Sequence, residues 1–575
     1  ADVIHVRQAA VKLFGGELAG SFDVPLRRDL AGSGALQLKN LDLAAVGKAL
    51  IGNEDLKVEG KADGAVKIRV PAAGEGGPRD VTAELDLQAP TLKVQLGPGR
   101  TIPAKKLRGT ASVIAGEFTY KLTAEALGGE IILEPPPKKT PPKKAEPKKD
   151  EGLSLGQIRF RSIQLAQLLD VIGQKNVLGG LNADLSGELP LTTDEDGRLV
   201  GTGRIRASRV RYGDAEVATT GSAVVRLTAR ESVLDDVALS VGEGYIRARV
   251  SLNRTDPDRS YARVTLTAVP AKRLFFLFPQ LATRIDLPVD GRLTTGLGRE
   301  WRGTGVLTSP RGTVYGVPMT NVHLPLDWVV APQTGRSEIR LRDASATAAG
   351  GQVTARAEVN LFADLPARLG GEVGFRNVNL AEAARETGKV IGNLPISGRF
   401  TFSANQFRSA DDLSGTLVAN LGESQAFALP VLSAVLPYVG GFGRDSTTRV
   451  TEGEVRAALG RGVWQVQRVT MTGPSIDLYA EGTVTTTGRL SLNVIASSSS
   501  NRPSEIIIRR LRAIPMAATQ PLAPGALTTA LSALGNYVVY LEVTGTATAP
   551  AVRLDTLRTV SEGAVRFFVY RFIGP

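Results

Sequence analysis

Between Gly350 and Phe362 the chain reads GGQVTARAEVNLF. In an extended strand Val353, Ala355, Ala357, Val359 and Leu361 share one face, and Thr354, Arg356, Glu358 and Asn360 share the other. The same phase recurs three times. It appears in GGELAGSFDVPL (15–26) at Leu18, Phe22 and Val24, and in GEGYIRARVSL (242–252) at Ile246, Ala248, Val250 and Leu252. It appears again in GPSIDLYAEGTV (473–484) at Ile476, Leu478, Ala480 and Val484. Four strands with one wet face and one apolar face are predicted. In GRIRASRVRYG (203–213), Arg204 and Arg206 have one parity and Arg209 and Arg211 the other, which predicts a bulge between them.

A longer period underlies the strands. LQLKNLDLAAVGKALIG (36–52), IRFRSIQLAQLLDVIG (158–173), VTLTAVPAKRLFFLFPQL (264–281) and VGFRNVNLAEAARETGKVIG (373–392) share one pattern. Each predicts a strand, a short polar turn and a brief amphipathic helix. The anchors Leu38, Phe160, Leu266 and Phe375 recur at about 110 residues. Each unit holds roughly five strands, so the chain holds about 25. Neighbouring strands are close in sequence, which favours an antiparallel meander.

The expected fold is therefore mainly β: an elongated, curled antiparallel sheet of repeated five-strand units, with short helices between units. Its apolar face must be covered. The predicted helices are too few to do so. A second sheet would make a sandwich, and curling would make a hydrophobic groove lined by aliphatic side chains. Periodicity leaves both open.

Composition narrows the chemistry. Glycine is frequent (63) and aromatic residues are few (5%), which suits short strands and turns and not helical bundles. There is no cysteine, so disulfides and thiolate sites are excluded. His5 and His323 are the two histidines, far apart, which argues against a histidine metal site or a serine triad. No Gly-x-Gly precedes a helix, and neither HExxH nor GxSxG occurs. Neither an enzyme nor a cofactor is expected. Part of the net charge of +12 sits in one Pro/Lys-rich linker and the rest is spread as arginine over polar strand faces, without the aromatic–basic motif of a nucleic-acid module. PPPKKTPPKKAEPKKDEG (135–152) is expected to be an extended linker or insertion. It separates first groove repeats (1–134) from central ones (153–420), with a distinct C-terminal region at 421–575.

That last region carries a resemblance. AFALPVLSAVLPYVGGFG, then TTRVTEGEVRAALGRGVWQVQRVTMTGPSIDLYAEGTVTTTGRLSLNVIA, and later VYLEVTGTATAPAVRLD (539–555), resemble the C-terminal region of the AsmA-like family, relatives of AsmA and TamB. The resemblance covers roughly the last 200 residues well and the earlier repeats loosely. It implies a long curled sheet with a hydrophobic groove, similar to bridge-like lipid-transfer proteins. It also implies a place in the bacterial periplasm, anchored to the inner membrane by an N-terminal helix that this sequence does not show. Phospholipids, the inner or outer membrane and an outer-membrane protein are the implied partners. The expected groove lining is Leu18, Phe22, Val24, Ile246, Ala248, Val250, Leu252, Val353, Val359, Leu361, Ile476, Leu478 and Val484. The rivals are a dry β-sandwich or solenoid scaffold and a factor that assembles outer-membrane proteins. The segment 525–543 is expected to begin as an amphipathic helix, which would plug one end of the sheet or, as the lesser alternative, touch a membrane. GAVRFFVYRFIGP (563–575) reads equally as a last strand or as a membrane-touching tail.

Overall fold

The structure is a computed structural model. It describes all residues except 1, 28, 51–55, 73–80, 97–100, 115–116, 136–153, 172–179, 195–198, 214, 275–282, 363–364, 385–392, 426–429, 440–448, 499–502, 515–521, 556–559 and 574–575. Among the described residues strands account for 70% and helices for 14%, so these helices cannot form a full covering layer. Among the described residues thirty strands join one antiparallel sheet that is not closed into a barrel. By contacts the chain divides into two units. The first is Ala1–Val269 with Thr294–Trp301 and Pro332–Thr334, and the second is Pro270–Leu293, Arg302–Ala331 and Gly335–Pro575.

In the first unit each strand pairs with the next in sequence, from Val3–Leu13 to Tyr261–Pro270. The meander expected from the short spacings is thus present. The strands Gly129–Glu134 and Ser154–Gln164 pair directly, with Leu133 opposite Ile158. The Pro/Lys-rich segment therefore joins neighbours in one sheet and does not separate two sheets; its residues 136–152 lie outside the described ones. The expected boundary at 421 is also bridged, because Ser414–Leu421 pairs with Glu452–Gly460.

The repeated motif proves to be a strand, a bulge and a helix. The polar residues read as a turn lie inside strands that continue past them. Asn40, Ser162, Ala268 and Asn377 occupy equivalent places with φ of 56°, 54°, 49° and 54°. Ladders slip at Asn40, Ser162 and Asn377, as one extra residue requires. The amide released there is recaptured by a neighbouring strand. Asn40 N donates to Asp63 Oδ1 (2.8 Å), Ser162 N to Ser186 Oγ (3.0 Å) and Asn377 N to Ser397 Oγ (2.8 Å). The slip turns Leu41, Ile163, Val269 and Val378 inward, and all four are buried. Three of the helices that follow are α1 (Leu43–Leu50), α2 (Leu165–Val171) and α3 (Ala271–Leu274). The fourth is α4 (Leu380–Ala384). Asp42 Oδ1 and Asn379 Oδ1 accept from Ala44 N and Ala381 N, capping α1 and α4.

The bulge expected in 203–213 is present at Arg209, whose φ is 54°. The ladder slips beside it, and Val210 is buried while Arg206, Arg209 and Arg211 are exposed.

Among the described residues the second unit has four further helices: α5 (Pro430–Val439), α6 (Glu505–Arg512), α7 (Pro524–Leu534) and α8 (Glu562–Ile573). The helical start expected in 525–543 is α7, and Val539–Thr546 follows it as a strand. The terminal aromatic stretch is a helix and not a last strand. It forms α8, which buries Ala564, Val565, Phe568 and Val569.

Candidate functional site

Strand register decides whether the predicted apolar positions form a continuous surface. Passed from partner to partner in the first unit, Val11 lies opposite Leu18, then Leu38, Gly64, Leu87 and Gly109. The row continues through Leu122, Leu133, Ile158 and Leu189. Further along the same sheet, Val225, Leu234, Val250 and Ala262 are in line. The second unit repeats the arrangement. Ala344, Ala355, Val373, Phe400 and Leu417 are successive partners. They continue into Ala457, Val466, Gly482, Leu492 and Val543. Neither row contains a charged residue.

Large side chains in the second unit lie over glycines of neighbouring strands. A Cβ at Gly371 would stand 2.8 Å from the Phe402 ring, and one at Gly415 2.9 Å from that of Phe400. Phe400 and Phe402 stack at 5.6 Å, and Trp464 packs on Phe400 at 5.4 Å. Glycine here allows the aromatic rings to lie flat along the apolar face.

The opposite face is a lattice of cross-strand ion pairs. Asp235 accepts from Arg226 and Arg249, both at 3.1 Å, and Arg159 meets Glu134 at 3.0 Å. Arg342 meets Asp327 at 2.6 Å, and Arg399 meets Glu372 at 3.2 Å. Burial would raise Glu454, but hydrogen bonds and charge from Arg456 and Arg468 outweigh it and hold the carboxyl below its ordinary value. One face thus carries the charge and the other is apolar. His5 pairs with Asp23 at 2.7 Å on an exposed strand, His323 is exposed, and the described residues contain no cluster able to hold a metal ion.

The two rims of the sheet differ. In the first unit α1 and α2 both leave strands that run in one direction, so both lie at one rim. There Val46 and Leu168 join Leu38, Leu41, Leu43 and Ile163 in one apolar cluster. At the other rim large apolar side chains meet solvent: Leu26 is 60% exposed and Phe118 61%, with Ile4, Val81, Ile114 and Leu252 also exposed. In the second unit α4, α5 and α6 likewise all follow strands of one direction.

Of the expected lining, Leu18 packs at the margin of the helix-covered cluster. Phe22, Ile246, Ala248, Val250, Val353, Val359 and Leu361 are half-buried on the apolar face. Val24 and Leu252 are exposed where their strands reach the open rim. Ile476 and Leu478 are corrected. They are 1% and 3% exposed and share one buried cluster with Leu432, Val435 and Leu436 of α5, so protein covers them. Val484 touches the same cluster at its edge.

The other face of these last strands is covered too. Tyr479, Ile495 and Tyr540 pack against Leu511 of α6, Ala530 and Leu534 of α7, and Phe568 of α8. Burial pushes the Tyr479 hydroxyl above its ordinary pKa. Arg571 Nε of α8 donates to the shielded Asp477 Oδ1 at 2.9 Å. Sequence reasoning missed this double covering. Its signal was the spacing of Ala564, Val565, Phe568 and Val569, which is helical.

The chain matches no family model, and no curated protein matches it. Among the described residues no helix is long and apolar enough to cross a membrane.

Proposed function

We propose that the protein is an AsmA-like carrier of the bacterial envelope, holding phospholipid acyl chains against the apolar face of its sheet. The observation that carries this reading is the pair of uncharged rows running strand after strand within each unit, half-buried over most of the first and at Ala355, Val373, Phe400 and Leu417 of the second. An aliphatic surface of that extent exceeds the roughly few hundred Å² that a monomer leaves bare. Acyl chains would complete it by dispersion contacts, with no directional polar group required. The exposed apolar residues of the open rim give chains a way in, while the charged face stays in water. Transfer would be passive, since a groove alone equilibrates its contents. The periplasm, the two membranes as donor and acceptor, and an outer-membrane partner belong to the same proposal.

Extraction of the purified chain tests it. Glycerophospholipid recovered in at least equimolar amount supports the carrier. A lipid-free, detergent-free monomer with an intact far-UV β spectrum points instead to a scaffold whose apolar face is dry.

A further inference from the structure

The helix α6 reads EIIIRRLR and has two unlike stripes. Ile507, Leu511 and Ile514 follow helical spacing and face the protein. Leu511 is 0% exposed, Ile514 is buried, and Ile507 packs on the cluster shared with α7 and α8. Arg512 Nη2 donates to the Ile573 carbonyl of α8 at 3.4 Å. The helix is therefore fixed in rotation. The opposite stripe, Ile506, Arg509 and Arg510, is held outward at i, i+3 and i+4. Ile506 is 69% exposed, the most of any large apolar side chain among the described residues. Arg509 and Arg510 are exposed, and among the described residues no carboxylate lies within 4 Å of either. The nearest acid in sequence, Glu505, stands on the same helix without pairing. On α8, Arg566 and Arg571 are neutralised by Glu562 and Asp477. The unbalanced positive charge of the helical layer is thus concentrated on α6, beside its one bare aliphatic side chain.

We propose that this stripe is a docking face for an anionic bilayer. The arginines would sit among lipid phosphates, and Ile506 would enter the boundary between headgroups and acyl chains. A solvated face needs no exposed isoleucine, and a protein-covered face would pair its arginines. The inference does not depend on lipid being carried by the sheet.

Flotation of the full chain with phosphatidylglycerol–phosphatidylcholine vesicles, and with phosphatidylcholine alone, tests it. Binding is expected to the anionic vesicles and to weaken with salt. Arg509→Ser with Arg510→Ser should lower binding about tenfold or more, and Ile506→Ser several-fold. Arg204→Ser with Arg206→Ser removes the same charge from the strand face and should change binding less than about twofold. Equal losses from the two arginine pairs, or no loss from either, overturn the proposal. Lipid extracted from the Arg509/Arg510 variant reports separately on the sheet. A wild-type chain that yields no lipid yet floats with the anionic vesicles would count against the carrier reading alone.

Discussion

Val359→Glu and Leu478→Glu place the same carboxylate on the apolar face of two strands in one unit, and the structure gives them opposite consequences. Leu478 is sealed between its strand neighbours and α5. Removing its side chain from the core forfeits about 2 kcal/mol of transfer free energy. The new carboxyl would have to stay protonated at neutral pH. From an ordinary pKa near 4.3 that costs at most about 3–4 kcal/mol at roughly 1.4 kcal/mol per unit. The sum, about 5–6 kcal/mol, corresponds to a fall in Tm on the order of 10–20 °C for a unit of this size. Val359 lies between Ile339 and Leu369 on a face that is only half-buried. Its carboxylate can ionise into the open groove, so the loss is confined to part of a valine transfer term, about 1 kcal/mol or 2–4 °C. That same carboxylate lies in the path of an acyl chain and should empty the groove. Calorimetry and phospholipid analysis of the two purified variants check both halves. Equal, large falls in Tm would mean that Val359 is in a dry core, and unchanged lipid content in a stable Val359→Glu would mean that lipid does not use this face. Either result refutes the reasoning.

Two further outcomes concern the C-terminal helices. Arg571→Met leaves the shielded Asp477 without its cation and should weaken α8 docking by roughly 1–3 kcal/mol, discounted because Arg571 is itself partly in water. Adding Asp477→Asn should restore part of the loss, and amide hydrogen exchange across Glu562–Ile573 measures both. The Glu562 carboxyl is held below its ordinary pKa first by the Leu522 amide (2.9 Å) and then by Arg566 (2.8 Å). Its contribution is complete above the unfolded pKa near 4.3 and is lost as pH falls through the lower folded value. The difference in Tm between the wild-type chain and Glu562→Gln should therefore shrink on acidification below about pH 4, and a difference that grows there would contradict the assignment.

The parts of the fold legible in the sequence are those set by local period. Alternation located the strands at 16–25, 244–253, 351–361 and 476–485, because side chains in a strand alternate strictly. The change of arginine parity located the Arg209 bulge for the same reason. The bulges at Asn40, Ser162 and Asn377 were read as turns because a polar residue with left-handed φ ends a strand as readily as it kinks one. The partner strand that recaptures the amide, through Asp63, Ser186 or Ser397, lies about 20 residues away. Ile476 and Leu478 alternate just as Val353 and Val359 do. What distinguishes them is α5, some 40 residues earlier, and alternation carries no record of a distant covering element. The α8 segment was ambiguous because Phe, Val and Tyr favour strands, whereas burial against α6 and α7 makes it helical.

The covering by α5 also bears on how the sheet would be used. In the second unit the uncharged row starts half-buried at Ala355 and Val373 and continues without a polar break to Val466, Leu492 and Val543. Those last three belong to the cluster that α5 closes. An acyl chain moving along the row would therefore meet protein at its C-terminal end, not water and not a charged barrier. Tyr438 of α5 donates to the Val552 carbonyl on the last strand at 3.1 Å, tying the helix across the end of the sheet. Within this unit, passage would require either exit over the open rim before the α5 cluster or displacement of α5. Displacement would expose Leu432, Val435 and Leu436 together, at about 2 kcal/mol for each side chain. Exit over the rim uncovers no protein core. In the carrier reading the rim route is therefore favoured by about 6 kcal/mol, and α5 acts as a stop that defines where the track ends.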